Sequence, residues 1–370
     1  MKSEIRHTDQ ELSPIDRRSL FANWVLRFCH IRVSSNGDSI KEAINIMKPK
    51  QIFISILAVP FVFLLMGTFA PQAANAGSIE VITTFDYPGT VIATQPQKIN
   101  EKGDIVGNFI DSSGVERGFV RFSDGSFSAP IVDPNDTVGF TDARAINNPG
   151  TVGGGYGTSD GSEHGFFLSG GTFTTYDVPG AVFTVVLGIN NSGDFAGTFI
   201  FPPITGIQQA FVNIGGTLTL FSVPGAAVTV VYQINDSKHL TVGYYVEPSG
   251  ITHGFYRDAN GALHFPIDPP GSVQTILFGD NNRNWVVGRY VDALGVTHGL
   301  FFVPPNNFFT FDFPGSTFTS LNGISSQGNI TGRYVDASGI THGFLARVRG
   351  TPPTKAAGPD MKPKHAMPAH

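Results

Sequence analysis

Gly288-Arg289-Tyr290-Val291-Asp292 … Gly295-Val296-Thr297-His298-Gly299 returns 44 residues later as Gly332-Arg333-Tyr334-Val335-Asp336 … Gly339-Ile340-Thr341-His342-Gly343-Phe344. Looser copies precede it. Pro-Gly or its equivalent marks each one, at Pro88-Gly89, Pro134-Asn135, Pro179-Gly180, Pro224-Gly225, Pro270-Gly271 and Pro314-Gly315. The steps are 46, 45, 45, 46 and 44 residues. A period of that size is the sign of a blade-like repeat.

Each step holds four β-type runs separated by turn residues. The first ends in Ile-Asn, as at Ile99-Asn100, Ile146-Asn147, Ile189-Asn190 and Ile234-Asn235. The second carries a glycine and then an aromatic, as in Gly197/Phe199 and Gly332/Tyr334. The third opens on His-Gly-Phe or a variant of it, from Arg117-Gly118-Phe119 to His342-Gly343-Phe344. The fourth runs into Asp-x-Pro-Gly.

Four antiparallel strands repeated six times predict an all-β fold, a six-bladed β-propeller. After Pro314 only three strands remain, and one unpaired strand, 79–85, precedes Pro88. That N-terminal strand is expected to complete the last blade beside 341–348 and close the ring, removing an open sheet edge. An open solenoid is the alternative, and it leaves the split blade unexplained. A three-residue turn at Ala337-Ser338-Gly339 sets Tyr334 opposite His342 and Gly332 opposite Phe344, so that the ring lies over bare backbone.

Composition agrees. Charged residues are 14%, well under the roughly 25% of ordinary soluble proteins. Gly (44), Pro (25) and Phe (32) are abundant, as short strands and tight turns require. A net charge of −5 without a basic stripe excludes a nucleic-acid partner. The only cysteine is Cys29.

Residues 52–70 are apolar, Lys48 and Lys50 precede them, and Ala74-Asn75-Ala76 follows. This is the order of a secretory signal peptide. The expectation is a signal at 47–76, cleavage near Ala76, a propeller over 77–350 and a secreted, periplasmic or cell-surface location. The mature chain then has no thiol and no membrane span. Residues 1–46 are either a long leader or an over-extended gene start. An uncleaved anchor is the alternative, since the apolar run is long enough to cross a bilayer. The Pro/Lys/Ala-rich tail, 351–370, reads as disordered.

Candidate chemistry is sparse. His164, His253, His298 and His342 recur at one position, dispersed around a ring, so they cannot share a metal. A hydrogen bond to a neighbouring turn or to the paired Tyr is their expected role. Two loop types share one propeller face and carry Asp111, Asp292 and Asp336, and Asp86, Asp133, Asp177, Asp268 and Asp312. Such residues either cap their own turns or form a carboxylate rim for a saccharide or a divalent cation, with Tyr245, Tyr290 and Tyr334 as stacking faces. No Asp-x-Asp-x-Asp calcium run, P-loop, nucleophile elbow or His-Glu-x-x-His is present. No cofactor, resident metal or catalytic residue is assigned. The least regular segments are 201–204, 304–307 and 280–285, where a private function is to be sought. Trp285, in the last, reads as core packing.

The unit Gly-Ile-Asn-x-x-Gly-x-x-x-Gly-x-Tyr … His-Gly-Phe … Asp-x-Pro-Gly resembles the bacterial extracellular HAF repeat, named for His-Ala-Phe. The resemblance covers 79–349. It departs at Gly165, Gly254, Gly299 and Gly343, where the name has Ala, and in two units without His. It implies export and a repeat fold, and assigns no site residue.

The leading function is a non-catalytic binding or scaffold module with the Asp-rich face as contact surface. The alternatives are a propeller hydrolase or lyase acting on a polysaccharide or lactone, and a structural surface protein without a small ligand. Two or more carboxylates at non-repeated positions in a central pocket favour the enzyme, and a filled axis disfavours it.

Overall fold

The computed structural model describes residues 78–89, 92–204, 206–237, 239–350 and 366–367. The leader and signal segments, 1–76, and most of the 351–370 tail lie outside them. Among the described residues every regular element is a strand, and no helix is long and apolar enough to cross a membrane. The chain is all-β.

β1 (Ser78–Phe85) comes first. Unit one holds β2 (Ala93–Ile99), β3 (Ile105–Ile110) and β4 (Glu116–Arg121). Unit two holds β5 (Thr141–Ile146), β6 (Val152–Gly157), β7 (Glu163–Ser169) and β8 (Thr172–Tyr176). Unit three holds β9 (Phe183–Ile189), β10 (Phe195–Ile200), β11 (Gln208–Ile214) and β12 (Thr217–Phe221). Unit four holds β13 (Val228–Ile234), β14 (Thr241–Val246), β15 (Thr252–Arg257) and β16 (Leu263–Ile267). Unit five holds β17 (Ser272–Asp280), β18 (Val286–Asp292), β19 (Thr297–Val303) and β20 (Asn307–Phe311). Unit six holds β21 (Phe318–Ile324), β22 (Asn329–Val335) and β23 (Thr341–Arg349). A last pair, β24 (Ala366–Met367), lies against Leu263 and His264.

Within each unit successive strands pair antiparallel. β1 pairs with β23 from Ser78↔Arg349 to Phe85↔Gly343, supplying unit six with its outer strand as expected. Gly332 faces Phe344 and Tyr334 faces His342, the register read from the turn length. Unit one departs from the four-run pattern. Its outer run makes only isolated bridges, Phe127 to Arg121 and Ile131 to Gly118. Pro130 has no N–H to donate, and the Ser128 hydroxyl caps Val120 N–H instead.

The recurrent glycines follow from close approach. A Cβ on Gly197 would lie 1.9 Å from the Val185 carbonyl and 2.9 Å from the Phe211 ring. Phe119, Phe166, Phe211, Phe255 and Phe344, with Leu300 in unit five, are fully buried over such backbone. A threonine near the start of most first strands seats the preceding turn. Thr94, Thr141, Thr184, Thr229 and Thr319 accept from the N–H of Tyr87, Asp133, Val178, Val223 and Phe313.

Successive units touch through single parallel pairs, Glu163↔Phe183, Gln208↔Val228 and Thr297↔Phe318, and Ala93↔Thr341 joins unit six to unit one. Each first strand packs on the next, and β21 packs on β2.

A relay of hydrogen bonds crosses the turns after the first strands. The backbone N–H of Glu101 donates to the Asn148 side chain, Asn148 to Asn191, Asn191 to Asp236, Asp236 to Asn282, Asn282 to Ser326, and Ser326 to Glu101. Beneath it Asn100, Asn147, Asn190, Asn235 and Asn281 each donate from Nδ2 to the carbonyl of the next unit's equivalent residue.

Candidate functional site

The His-Gly-Phe histidine and the two families of aspartate meet on the face opposite those turns. His342 Nδ1 binds Asp86 at 2.9 Å, and its Nε2 lies 3.4 Å from Asp336. His298 repeats this with Asp312 at 2.9 Å and Asp292 at 3.4 Å. His253 binds Asp268 at 2.6 Å and lies 3.5 Å from Glu247. His164 binds Asp177 at 2.9 Å. Arg117, standing where His is absent, pairs with Asp111. The partner of the ring nitrogen is therefore the aspartate before Pro-Gly, which ties the third strand to the turn leaving its own unit.

The turn-bound aspartates are also occupied locally. Oδ1 of Asp111, Asp292 and Asp336 accepts from two backbone N–H groups of its own turn. Asp133 is buried, its Oδ2 is unpartnered, and desolvation raises its pKa. The Arg117 hydrogen bond holds Asp111 below the usual carboxylate range. The backbone N–H groups of Val296 and Ile340 do the same for Asp292 and Asp336. Burial pulls His298 and His342 down, but their flanking carboxylates outweigh it and hold both above the ordinary imidazole value.

The tyrosines are packed rather than open. Tyr245 is buried against His253 and Phe265. Tyr334 is stacked on Phe313 at 3.7 Å and on His342 at 5.2 Å. Tyr290 stacks on His298 and hydrogen-bonds Thr310. Neither Tyr245 nor Tyr334 presents a free face for a sugar ring, because the packing that seats the histidine uses it.

The same face exposes a set of aliphatics that sequence reasoning passed over. Ile207 is 59% exposed, and Ile251, Val296 and Ile340 are also exposed. Each follows a glycine and precedes the third strand. Ile92 and Val273 stand exposed at the neighbouring unit's entry, beside Ile340 and Ile251 by register. The signal was present in Gly-Ile/Val-Thr-His-Gly: an apolar residue at a turn tip has nothing beneath it to pack on.

The space between the first strands is filled. Lys98 reaches from unit one to the Phe278 carbonyl of unit five at 2.6 Å and lies over the Tyr232 ring of unit four. Asp142 pairs with Arg144 and Asn108, and Arg333 donates to Gln95 at 2.6 Å. Desolvation brings the Lys98 ammonium down to about 7, with Arg144 adding and Asp280 opposing. Desolvation pushes Glu116 up to about 8, with Asp142 adding and Arg144 and Arg333 opposing. Glu163 and Asp280 are raised further, again by burial first. Asp142 and Asp280 are thus central carboxylates at positions without an acidic counterpart, as the enzyme alternative asks, while Glu116 and Glu163 share one repeat position at the head of the third strand. They are enclosed, however, among Lys98, Arg144 and Arg333. The cavity at the asparagine mouth is about 40 Å³, whereas small-molecule sites span roughly 300–1,000 Å³. Among the described residues no group of three or more His, Cys, Asp or Glu is placed to hold a metal ion.

No known protein-family profile matches this chain, and no curated protein matches it. Solved structures do. A mutant Aleuria aurantia lectin in complex with Fucalpha1-6GlcNAc is 13% identical, over 75% of this chain and 100% of that one, with a TM-score of 0.42. The β-propeller domain of the Trilobed protease from Pyrococcus furiosus is 10% identical, over 69% and 83%, with a TM-score of 0.42. A lectin from Burkholderia pseudomallei is 12% identical, over 76% and 85%, with a TM-score of 0.39. At these values the likeness brings neither a family nor a ligand to this chain.

Proposed function

We propose that this chain is an exported, non-catalytic binding or scaffold module of the HAF-repeat kind, built as a closed six-bladed β-propeller. Its contact surface is the face of the His–Asp clamps. Closure is supported by the relay that leaves Glu101 and returns to it through six turns, and by β1 completing unit six. The export signal rests on residues 47–76 and the mature start on Gly77.

One observation carries the functional reading. The axis is occupied by the protein's own charged side chains, while carboxylates and aliphatics stand exposed together on one face. A ligand is met over a surface, not in a pocket. Asp86 and Asp312 are about half-exposed and keep acceptor capacity for saccharide hydroxyls or a divalent cation. The hydrolase or lyase alternative draws on Glu116, Asp142 and Glu163, and needs the axis to open.

A thermal-shift screen against divalent ions and neutral and charged oligosaccharides tests the surface. A ligand that stabilises the protein should do so much less after Asp312→Asn or Asp86→Asn. It should be unaffected by Asp258→Asn on the opposite face. Stabilisation that survives both clamp variants and is lost with Asp258→Asn would move the contact surface to the other side.

A further inference from the structure

Unit three breaks the pattern of this face. Its clamp is absent, because Gln209 stands at the histidine position and Ser222 at the aspartate position. The β10–β11 turn carries Phe201-Pro202-Pro203-Ile204 in place of the usual Asp-x-x-Gly. Phe201 and Ile204 are exposed beside the third strand, and Ile207 opens onto the junction with unit four. Ala227 is exposed at that junction too, one residue before the Gln208↔Val228 pair.

The patch is built rather than loose. The Phe201 ring rests on fully buried Phe199 at 5.0 Å and 74°, and it lies 3.8 Å from where a Cβ on Gly180 would sit. Gly206 N–H donates to the Pro203 carbonyl at 2.7 Å, tightening the turn. A Cβ on Gly206 would meet the Phe201 and Pro203 carbonyls at 2.9 Å.

Apart from the imidazoles of His164 and His253, which lie against Asp177 and against Asp268 and Glu247, the charged surroundings are of one sign. The turns joining second to third strands, and each unit to the next, contain no Lys or Arg anywhere in the ring. They contain Asp177 on one side of unit three and Glu247 and Asp268 on the other. Arg117, at the head of β4, is already paired with Asp111. An exposed apolar patch rimmed by charge marks an interaction site, and a rim of one sign selects the opposite sign and repels its own. A second copy would bring the same acidic rim face to face.

We propose that Phe201, Ile204 and Ile207 together dock an aliphatic or aromatic side chain of a polypeptide partner whose flanking residues are Lys or Arg. This rests on the clamp face being the contact surface, and it names the partner's chemistry. A soluble peptide alternating Lys and Leu serves as probe, with Glu/Leu and Lys/Ser peptides for comparison, read by fluorescence anisotropy on the whole protein.

The Lys/Leu peptide should bind at least tenfold more tightly than either comparison peptide and weaken with salt. Phe201→Ser and Ile207→Ser should each cost about tenfold, Ile207→Ser with an unchanged thermal midpoint. Asp258→Asn, on the opposite face, should leave affinity intact. Equal binding of the Lys/Ser or Glu/Leu peptide would overturn the inference, as would affinity indifferent to Phe201 and Ile207. Loss of oligosaccharide or ion binding in the clamp variants, with no peptide binding at all, would sink this inference and keep the surface reading. Peptide binding abolished only by Asp258→Asn would sink both. Concentration-dependent dimers in sedimentation that Ile207→Ser dissolves would assign the patch to self-association instead.

Discussion

Asn284 holds a backbone φ of 58° at a turn position where Gly103, Gly150, Gly193 and Gly328 sit at φ between 84° and 93°. Any L-residue other than glycine is strained there, asparagine less than most. Its side-chain oxygen is also buried without a partner. Asn284→Gly should therefore raise stability by roughly 0.5–1 kcal/mol, measured by chemical denaturation. An unchanged or lower midpoint would show that the Asn side chain does something the glycines do not. This position was legible in part. Gly193 and its equivalents follow Ile-Asn at fixed spacing, but the exchange for Asn284 becomes visible only once the turns are superposed by the relay. The relay itself was not legible, because Glu101, Asn148, Asp236 and Ser326 share acceptor capacity and not identity.

A clamp joins strands, so its effect is read at the level of the element. His298 and His342 titrate above the ordinary 6.5, so their contribution is complete below that value and fades as pH climbs past the raised one. Asp292 and Asp336 titrate below the ordinary 3.8, so theirs is present above it and is lost as pH falls further. The clamps of units five and six should add most between those two values. Replacing both histidines with Gln should cost about 1 kcal/mol in total near pH 5.5 and less at pH 9. An equal loss at both pH values would mean that packing against Tyr290 and Tyr334, not charge, is what the histidines supply. Sequence reasoning placed histidine, aspartate and turn in the same unit. It left the imidazole's partner open between the turn and the paired Tyr, because strand register alone does not say which of the two the imidazole nitrogen reaches.

At the scale of the whole molecule, β1 is the one strand of unit six that comes from the other end of the chain. Deleting residues 78–85 removes the cover from Gly343 and Phe344 and exposes the β23 edge, which is open to pairing with other chains. The shortened protein should lose several kcal/mol and aggregate, seen as light scattering on mild heating. A monomer of unchanged melting temperature would make the closing strand dispensable. The all-β class and the split unit could be read from the period, and the Gly332–Phe344 register from the turn length, whereas the expected fourth strand of unit one is reduced to isolated bridges. The filled centre could not be read, because Lys98 and Arg144 have no counterpart of like charge at their positions in the other units, and only the packing of the first strands brings them beside Arg333. The pairing of Ser78 with Arg349 has a separate consequence. Ser78 and Arg349, the two ends of the repeat region, stand side by side on the asparagine-turn face, so a short linker could join them. The gene could then begin at another inter-unit turn, such as the one after Tyr176. Each such circular permutant would keep every contact between the units and shift only the seam. Where the chain starts is then a property of the gene, and the architecture itself has no first unit.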